Sequence, residues 1–328
     1  MDNPNPSSLS KPMFSDGWRL LALLAMIALA MLLFLTLNKR ASWAFTLQFR
    51  GYRLLSLILV GYSIALSTLV FQTITHNRIL APGIMGFDSL FVVLQTSLVF
   101  VFGAQWLQQL PASHKWLMEA SVLCGVTSLL FYWLWHKQGK DLQTLVLVGI
   151  LMGIVLRSLS GFMGRMLDPV EYDQLQDLMF ASFNKTKPEL LLISGLSCAL
   201  ASSWLWYKRR QLDVLYLGKE VAISLGVPYQ ALVLRALLII SLLIAVSTAL
   251  VGPVTFFGLL VVNLAYLLVR EQKHCYLIPM ATGLAILVLV LGQALLEQVF
   301  RFGTALSVIV EFVGGLAFLI LLLRQGRR

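Results

Sequence analysis

The sequence predicts an all-α polytopic membrane protein of about ten transmembrane helices, on three grounds. Hydrophobic residues make up 59% of the 328 and charged residues only 12%, against roughly 25% charged in a soluble domain. Apolar runs of about 17–25 residues, the length that crosses a bilayer, follow one another along the chain and leave no room for a separate soluble domain. Lys and Arg outnumber Asp and Glu 25 to 15, for a net charge of +10, yet they stand singly between apolar runs. That scatter fits the positive-inside rule for a cytoplasmic N-terminus and argues against nucleic-acid binding.

The expected spans lie near 18–37, 54–75, 84–102, 116–135, 142–162, 189–206, 229–250, 256–270, 277–299 and 305–323. The first run exceeds a signal-peptide core of about 7–15 residues and reads as a retained helix. The loop over 39–53, outward on this count, carries Lys39, Arg40, Arg50 and Arg53 against the inside bias. Arg50 and Arg53 are three apart and directly precede the second span, which puts both on one helix face at the membrane edge. Guanidinium forks match carboxylates, so they read as a docking point for an acidic extracytoplasmic partner, or equally as anchors to lipid phosphate.

The second span holds Gly61, Ser63, Ala65, Ser67 and Thr68, small residues that let helices approach closely. It ends in Asn77-Arg-Ile-Leu-Ala-Pro-Gly-Ile-Met-Gly86, whose Pro82, Gly83 and Gly86 predict a break at membrane depth that is buried or lines a cavity. Asn77, Pro82 and Gly86 are therefore pathway candidates, with Asp88 just beyond. Charges at membrane depth are costly and each is a candidate functional group. Glu119 and Arg157 read as snorkelling near helix ends, whereas Asp88 and Glu311 read as cavity-facing. The loops 103–115 and 163–188 fall on the outward side.

Residues 207–228 form the longest polar interruption after Pro188. Leu212, Val214, Leu215, Leu217, Val221, Ala222 and Leu225 recur between its charges, predicting two short amphipathic helices that present a knob on the inner side. Gly218 and Gly226 supply tight-turn geometry, and Pro228 opens the next helix. Gly252-Pro253 and Gly258, leading to Asn263, repeat the theme of the first break, but Gly252-Pro253 is expected to be a simple turn between two helices, with a broken helix as the alternative.

No phosphate loop and no His-Glu-x-x-His are present, Ser160-Gly161 lacks the glycine of a nucleophile elbow, and Cys124, Cys198 and Cys275 have no metal-ligand spacing. Neither catalysis nor a bound metal is expected of this chain. An ion-coupled secondary transporter would need intramembrane carboxylates for its coupling ion and would work alone.

In this order the segments resemble the FecCD/BtuC-like permeases, the membrane subunits of bacterial ABC importers for ferric siderophores, haem and cobalamin. Arg50-Gly-Tyr-Arg53 resembles R-L-P-R, keeping both arginines. Residues 61–72 and then 77–86 are similar to G-A-x-L-A-x-S-G-x-x-x-Q and N-P-L-A-x-P-x-x-L-G, with Arg78 in place of the first proline. Residues 217–227 resemble L-G-x-x-x-A-x-x-L-G-V. Residues 252–263 follow G-x-I-x-F-V-G-L-V-V-P-H, with Val262-Asn263 where Pro-His is usual, and residues 296–301 resemble A-D-x-x-A-R.

The resemblance implies a type II ABC importer architecture, with residues 1–328 as one permease domain in the bacterial inner membrane and both termini cytoplasmic. It implies that Arg50, Arg53 and Arg301 pair with glutamates of a periplasmic or lipoprotein solute-binding protein. Leu217, Gly218, Glu220, Ala222, Leu225 and Gly226 would sit in a groove of a separate ATPase dimer, which holds the ATP and magnesium while this chain holds no cofactor. The fifth and tenth spans would line a pathway shared with a second permease, identical or paralogous. The implied cargo is a ferric siderophore, catecholate type first, with haem or cobalamin as alternatives.

Overall fold

The computed structural model describes residues 16–37, 43–137, 142–183, 187–298 and 306–325, and among these every regular element is helical. Helix α1 (Asp16–Thr36) is followed by the 33-residue α2 (Trp43–Thr75), a 3-10 turn (Pro82–Met85) and α3 (Phe87–Phe102). Next come α4 (Ala104–Gln109), α5 (Ala112–Lys137), α6 (Leu142–Gly164), α7 (Pro169–Met179) and α8 (Pro188–Tyr207). The short α9 (Arg209–Leu215) and α10 (Lys219–Ser224) precede α11 (Tyr229–Val251), α12 (Phe257–Leu268), α13 (His274–Gln298) and α14 (Leu306–Gln325).

All ten expected spans have a helical counterpart, but two are partial crossings. Helices α1, α2, α5, α6, α8, α11 and α13 are long and apolar enough to span a bilayer, and α14 adds 20 further apolar-rich residues. Helices α3 and α12 have 16 and 12 residues, about 24 and 18 Å at 1.5 Å per residue, short of a hydrocarbon core of about 30 Å. Each begins at a backbone break inside the bundle.

Helices α2, α11 and α13 form the centre, with 67%, 61% and 61% of their spans buried, while α1 and α6 lie outermost at 22%. Small residues bring the central helices together, as membrane packing requires where no hydrophobic difference drives association. A Cβ on Gly61 of α2 would stand 3.3 Å from the Ala285 carbonyl carbon of α13, and one on Gly258 of α12 would stand 2.2 Å from Thr68 Oγ1. The chain directions follow from side-chain pairs. Ser89 lies against Gly153 and Thr96 bonds Ser160 at 2.6 Å, so α3 and α6 run parallel, and Gln95 bonds Glu119 at 2.6 Å while Phe87 meets Phe131, so α5 runs opposite. Helices α4 and α7 consequently cap one end of the bundle and α9 and α10 the other.

Three expected loops are partly helical. The predicted 39–53 loop is helix from Trp43 onward, because Trp43, Leu47 and Phe49 let α2 continue beyond the hydrocarbon with exposed apolar groups. Residues 103–115 contain α4. Residues 163–188 contain α7, which is polar enough to read as loop but starts on Asp168-Pro169 with Glu171 in its first turn, a helix-start signal. Its Leu175 is buried against Val99, Ala104 and Leu107.

Candidate functional site

The knob over residues 207–228 has the predicted form of two short helices. Helices α9 and α10 are separated by Gly218 at φ 111°, and α10 ends with Gly226 at φ 76°. The Val227 amide donates to the Ala222 carbonyl and the Gly226 amide to the Ile223 carbonyl, both at 3.0 Å, the Schellman closure that favours glycine at this position. A Cβ at Gly218 or Gly226 would meet nothing within 4 Å, so these glycines answer a backbone demand, not a steric one. Leu212, Leu215 and Ala222 are fully buried against the bundle, whereas Leu217, Val221, Ile223 and Leu225 are exposed, with Glu220 among them. The result is a rigid two-helix projection with an apolar outer face.

The knob is bonded to the bundle beneath it. Asp213 of α9 accepts from the backbone N–H and the Nδ1 of His274, both at 2.7 Å, at the start of α13. His274 is fully buried, and its Nε2 lies 2.9 Å from Thr73 Oγ1 in the last turn of α2. Burial alone would raise the Asp213 carboxyl, but the His274 bonds and the charges of His274 and Lys273 hold it below its ordinary value. No sequence motif marks this relay, and the one available signal is an acid, Asp213, in a stretch whose other charges are mostly basic.

Deeper in the bundle the two breaks converge. Gly86 adopts φ 97°, and a Cβ there would lie 3.1 Å from Gly153 Cα and 3.2 Å from the Gly149 carbonyl of α6, so backbone packs on backbone. Gly252 adopts φ 102°, with Ala181 Cα 3.0 Å from its would-be Cβ, and the Ser182 amide donates to the Val251 carbonyl at 2.7 Å. Residues 251–254 are buried, so this connection is a break at depth and not a surface turn. Thr255 joins the two: its side chain faces the Asp88 carboxyl, and its backbone N–H faces Glu311. Asp88 is 6% exposed and also packs on Gly83, whose Cβ would meet Asp88 Oδ2 at 2.7 Å. The N-termini of α3 and α12 thus begin beside a carboxylate, which their dipoles favour.

The remaining candidates are placed as follows. Pro82 is buried at the start of the 3-10 turn. Asn77 is exposed and its Oδ1 accepts from the Ile79 amide at 2.9 Å. Asn263 donates to the carbonyls of Leu259 and Arg78 at 2.8 and 3.1 Å, so its amide ties α12 to the turn after α2. Glu119 does not snorkel as expected. It is 3% exposed, accepts from Gln95, and has Lys115 Nζ at 3.8 Å, because α5 turns this face toward α3. Among the described residues no group of three or more His, Cys, Asp or Glu is arranged to hold a metal.

Arg50 and Arg53 lie at the opposite end, within α2, and face inward to Glu297 of α13 at 3.6 and 3.2 Å. Arg50 also donates to the Phe34 and Leu37 carbonyls at 2.8 Å, satisfying the C-terminal end of α1, while Arg53 stacks over Phe49 at 4.2 Å. One carboxylate between two guanidiniums leaves the cluster net positive. Arg301, the third expected docking residue, lies outside the described residues.

The whole arrangement has close counterparts among known proteins. A solved structure titled as an inward-facing conformation of a transporter assigned to the metal-chelate ABC type superposes with a TM-score of 0.81 over 94% of this chain and 99% of that one, at 21% identity, which establishes the fold. The petrobactin import system permease protein YclO of Bacillus subtilis (strain 168) is 39% identical over 308 residues, covering 94% of this chain and 97% of that protein. FatC of Bacillus anthracis, also a petrobactin import system permease protein, is 37% identical over 83% and 77% of the two chains. The ferric enterobactin transport system permease protein FepD of Escherichia coli (strain K12) is 28% identical over 88% and 84%. The model of the FecCD transport family matches residues 17–324, and the chain belongs to that family of membrane permeases.

Proposed function

We propose that this chain is one permease of an ABC importer that carries a ferric siderophore across the bacterial inner membrane, with residues 1–328 acting as one permease domain and both termini cytoplasmic. The observation that carries the reading is the rigid knob of α9 and α10, apolar on its outer face and bonded to the bundle on its inner one. Such a projection suits seating in a groove of a separate ATPase dimer, which would hold ATP and magnesium. Two relatives, one matched over 97% and the other over 77% of its length, are named for petrobactin, so a petrobactin-like ferric siderophore is the first cargo to test; the catecholate type is the class expected from the sequence.

At the outer end, Arg50, Arg53 and Arg301 would receive the acidic lobes of a solute-binding protein, periplasmic or lipoprotein. A second permease, identical or paralogous, would face α6 and α14 and enclose the pathway. Nucleotide held on the ATPase then stabilises one of two arrangements of the permease pair, and access switches by differential binding to the two states.

The test is uptake of radio-iron-labelled petrobactin into sealed proteoliposomes. Uptake requiring both the ATPase and ATP is expected. Uptake driven by an ion gradient with the ATPase absent would instead establish a secondary transporter and overturn this reading.

A further inference from the structure

Between the knob and the helix breaks lies a joint built on one residue. Arg78 stands in the turn after α2, four positions before Pro82. Its backbone carbonyl accepts from Gln72 Nε2 of α2 at 2.9 Å and from Asn263 Nδ2 of α12 at 3.1 Å. Its side chain leaves in the other direction. The guanidinium lies over the Tyr266 ring at 4.4 Å, donates to Gln272 Oε1 at 2.7 Å, and donates to the hydroxyl of Tyr216, the residue that closes α9. The Tyr216 hydroxyl in turn donates to Gln272 Oε1 at 2.9 Å, closing a triangle. Beside it, His76 Nε2 lies 2.8 Å from the Leu215 carbonyl.

We propose that Arg78 is a positioning residue for energy coupling, a clasp that makes the end of α9, the 76–86 turn and α12 move as one body. The inference rests on the proposed seating of the knob in an ATPase. Both helix breaks are served by this joint: the 76–86 turn contains the first, and α12 begins at the second. A planar cation stacked on one face and bonded at its edge fixes orientation as well as distance, which a lysine ammonium on a flexible stem does not. Without the clasp the knob is still held by Asp213 and His274, but the turn that carries the break keeps only the His76–Leu215 bond to α9 and can lag behind it.

The experiment uses the complete reconstituted importer with ferric petrobactin as probe and reads ATP hydrolysed per iron delivered. Arg78→Ala is expected to raise that ratio roughly tenfold, the scale of a typical coupling energy, while ATPase binding is retained. Tyr216→Phe, which removes one hydroxyl, is expected to shift the ratio in the same direction, and Arg78→Lys to restore it only in part. A purely structural role would lower the amount of assembled complex without changing the ratio. If Arg78→Ala does not assemble, Tyr216→Phe decides alone. An unchanged ratio in the variants that assemble, with the ATPase still bound, overturns the clasp and leaves the proposed function standing. Failure of Lys219→Cys to crosslink to the ATPase in the otherwise unmodified importer would overturn both.

Discussion

Glycines at three kinds of site separate backbone demand from crowding. Gly86 faces both: its φ is 97° and a Cβ would press on the Gly153 and Gly149 backbone at 3.1–3.2 Å. Gly86→Ala should therefore lower stability by at least about 2–3 kcal/mol, combining left-handed strain with overpacking. Gly226 faces only the first demand, so Gly226→Ala should cost about 1–2 kcal/mol. Gly161 has ordinary helical geometry and open space, and Gly161→Ala should be neutral or slightly stabilising, since alanine is the better helix former. Thermal melting of the three purified variants in detergent checks the ranking; a Gly86→Ala protein as stable as the parent would contradict the close approach at the break. At the end of the bundle opposite the knob, Glu297 offsets two arginines that are only partly exposed. Glu297→Gln should tighten low-salt docking of an acidic binding protein and Arg50→Gln should weaken it, both effects fading as salt screens them. Equal affinities at low salt would remove the arginine cluster from the docking site.

Among elements, α9 is the most exposed to a pH effect. The Asp213 carboxyl is held below its ordinary value of 3.8, chiefly by His274 working against the opposing influence of burial. A depressed carboxyl contributes stability that is present above its unfolded value and lost as pH falls through the folded one. The contribution of Asp213 to holding α9 on α13 should thus be present at pH 5 and be lost only below 3.8, and Asp213→Asn should be looser at pH 5 and insensitive in the acid range. Amide exchange of residues 209–215 reports both; acid loosening that persists in Asp213→Asn would assign the effect to another group. The existence of α9 and α10 was legible in the sequence because Gly218, Gly226 and Pro228 punctuate an apolar-periodic stretch. The break at 82–86 was legible for the same reason, whereas Gly252-Pro253 reads first as a simple turn and only its burial identifies it as a second break. Their convergence was not legible, since Asp88, Thr255 and Glu311 come from three separate segments. The Arg78 joint was equally hidden, its partners lying 138 and 194 residues away along the chain, and α7 was concealed by Glu171, Asp173 and Asp177, which make it read as loop.

At the scale of the molecule, the outer faces of α6 and α8 differ in a way that bears on where the proposed second permease would sit. Helix α8 presents Leu192, Ile193, Leu196 and Leu200 outward, the last 74% exposed, an apolar surface suited to lipid. Helix α6 presents apolar residues too, but interrupts them with exposed Arg157 and Ser158, and beside these a cavity of about 620 Å³ is lined by Arg157, Arg165, Tyr172 and Gln176. A guanidinium within a span costs about 2.5–3.5 kcal/mol on insertion scales unless it reaches water or a partner. Lipid is thus the poorer neighbour for this face of α6, and an aqueous passage shared with a second permease the better one. In a background lacking Cys124, Cys198 and Cys275, Ser158→Cys should react with a membrane-impermeant thiol reagent in the assembled importer and be protected by ferric petrobactin held in the passage. Leu200→Cys should remain unreactive throughout, because a thiol in hydrocarbon stays protonated and out of the reagent's reach. Equal reactivity at the two positions, or protection at Leu200→Cys alone, would put the passage elsewhere and remove α6 from its wall.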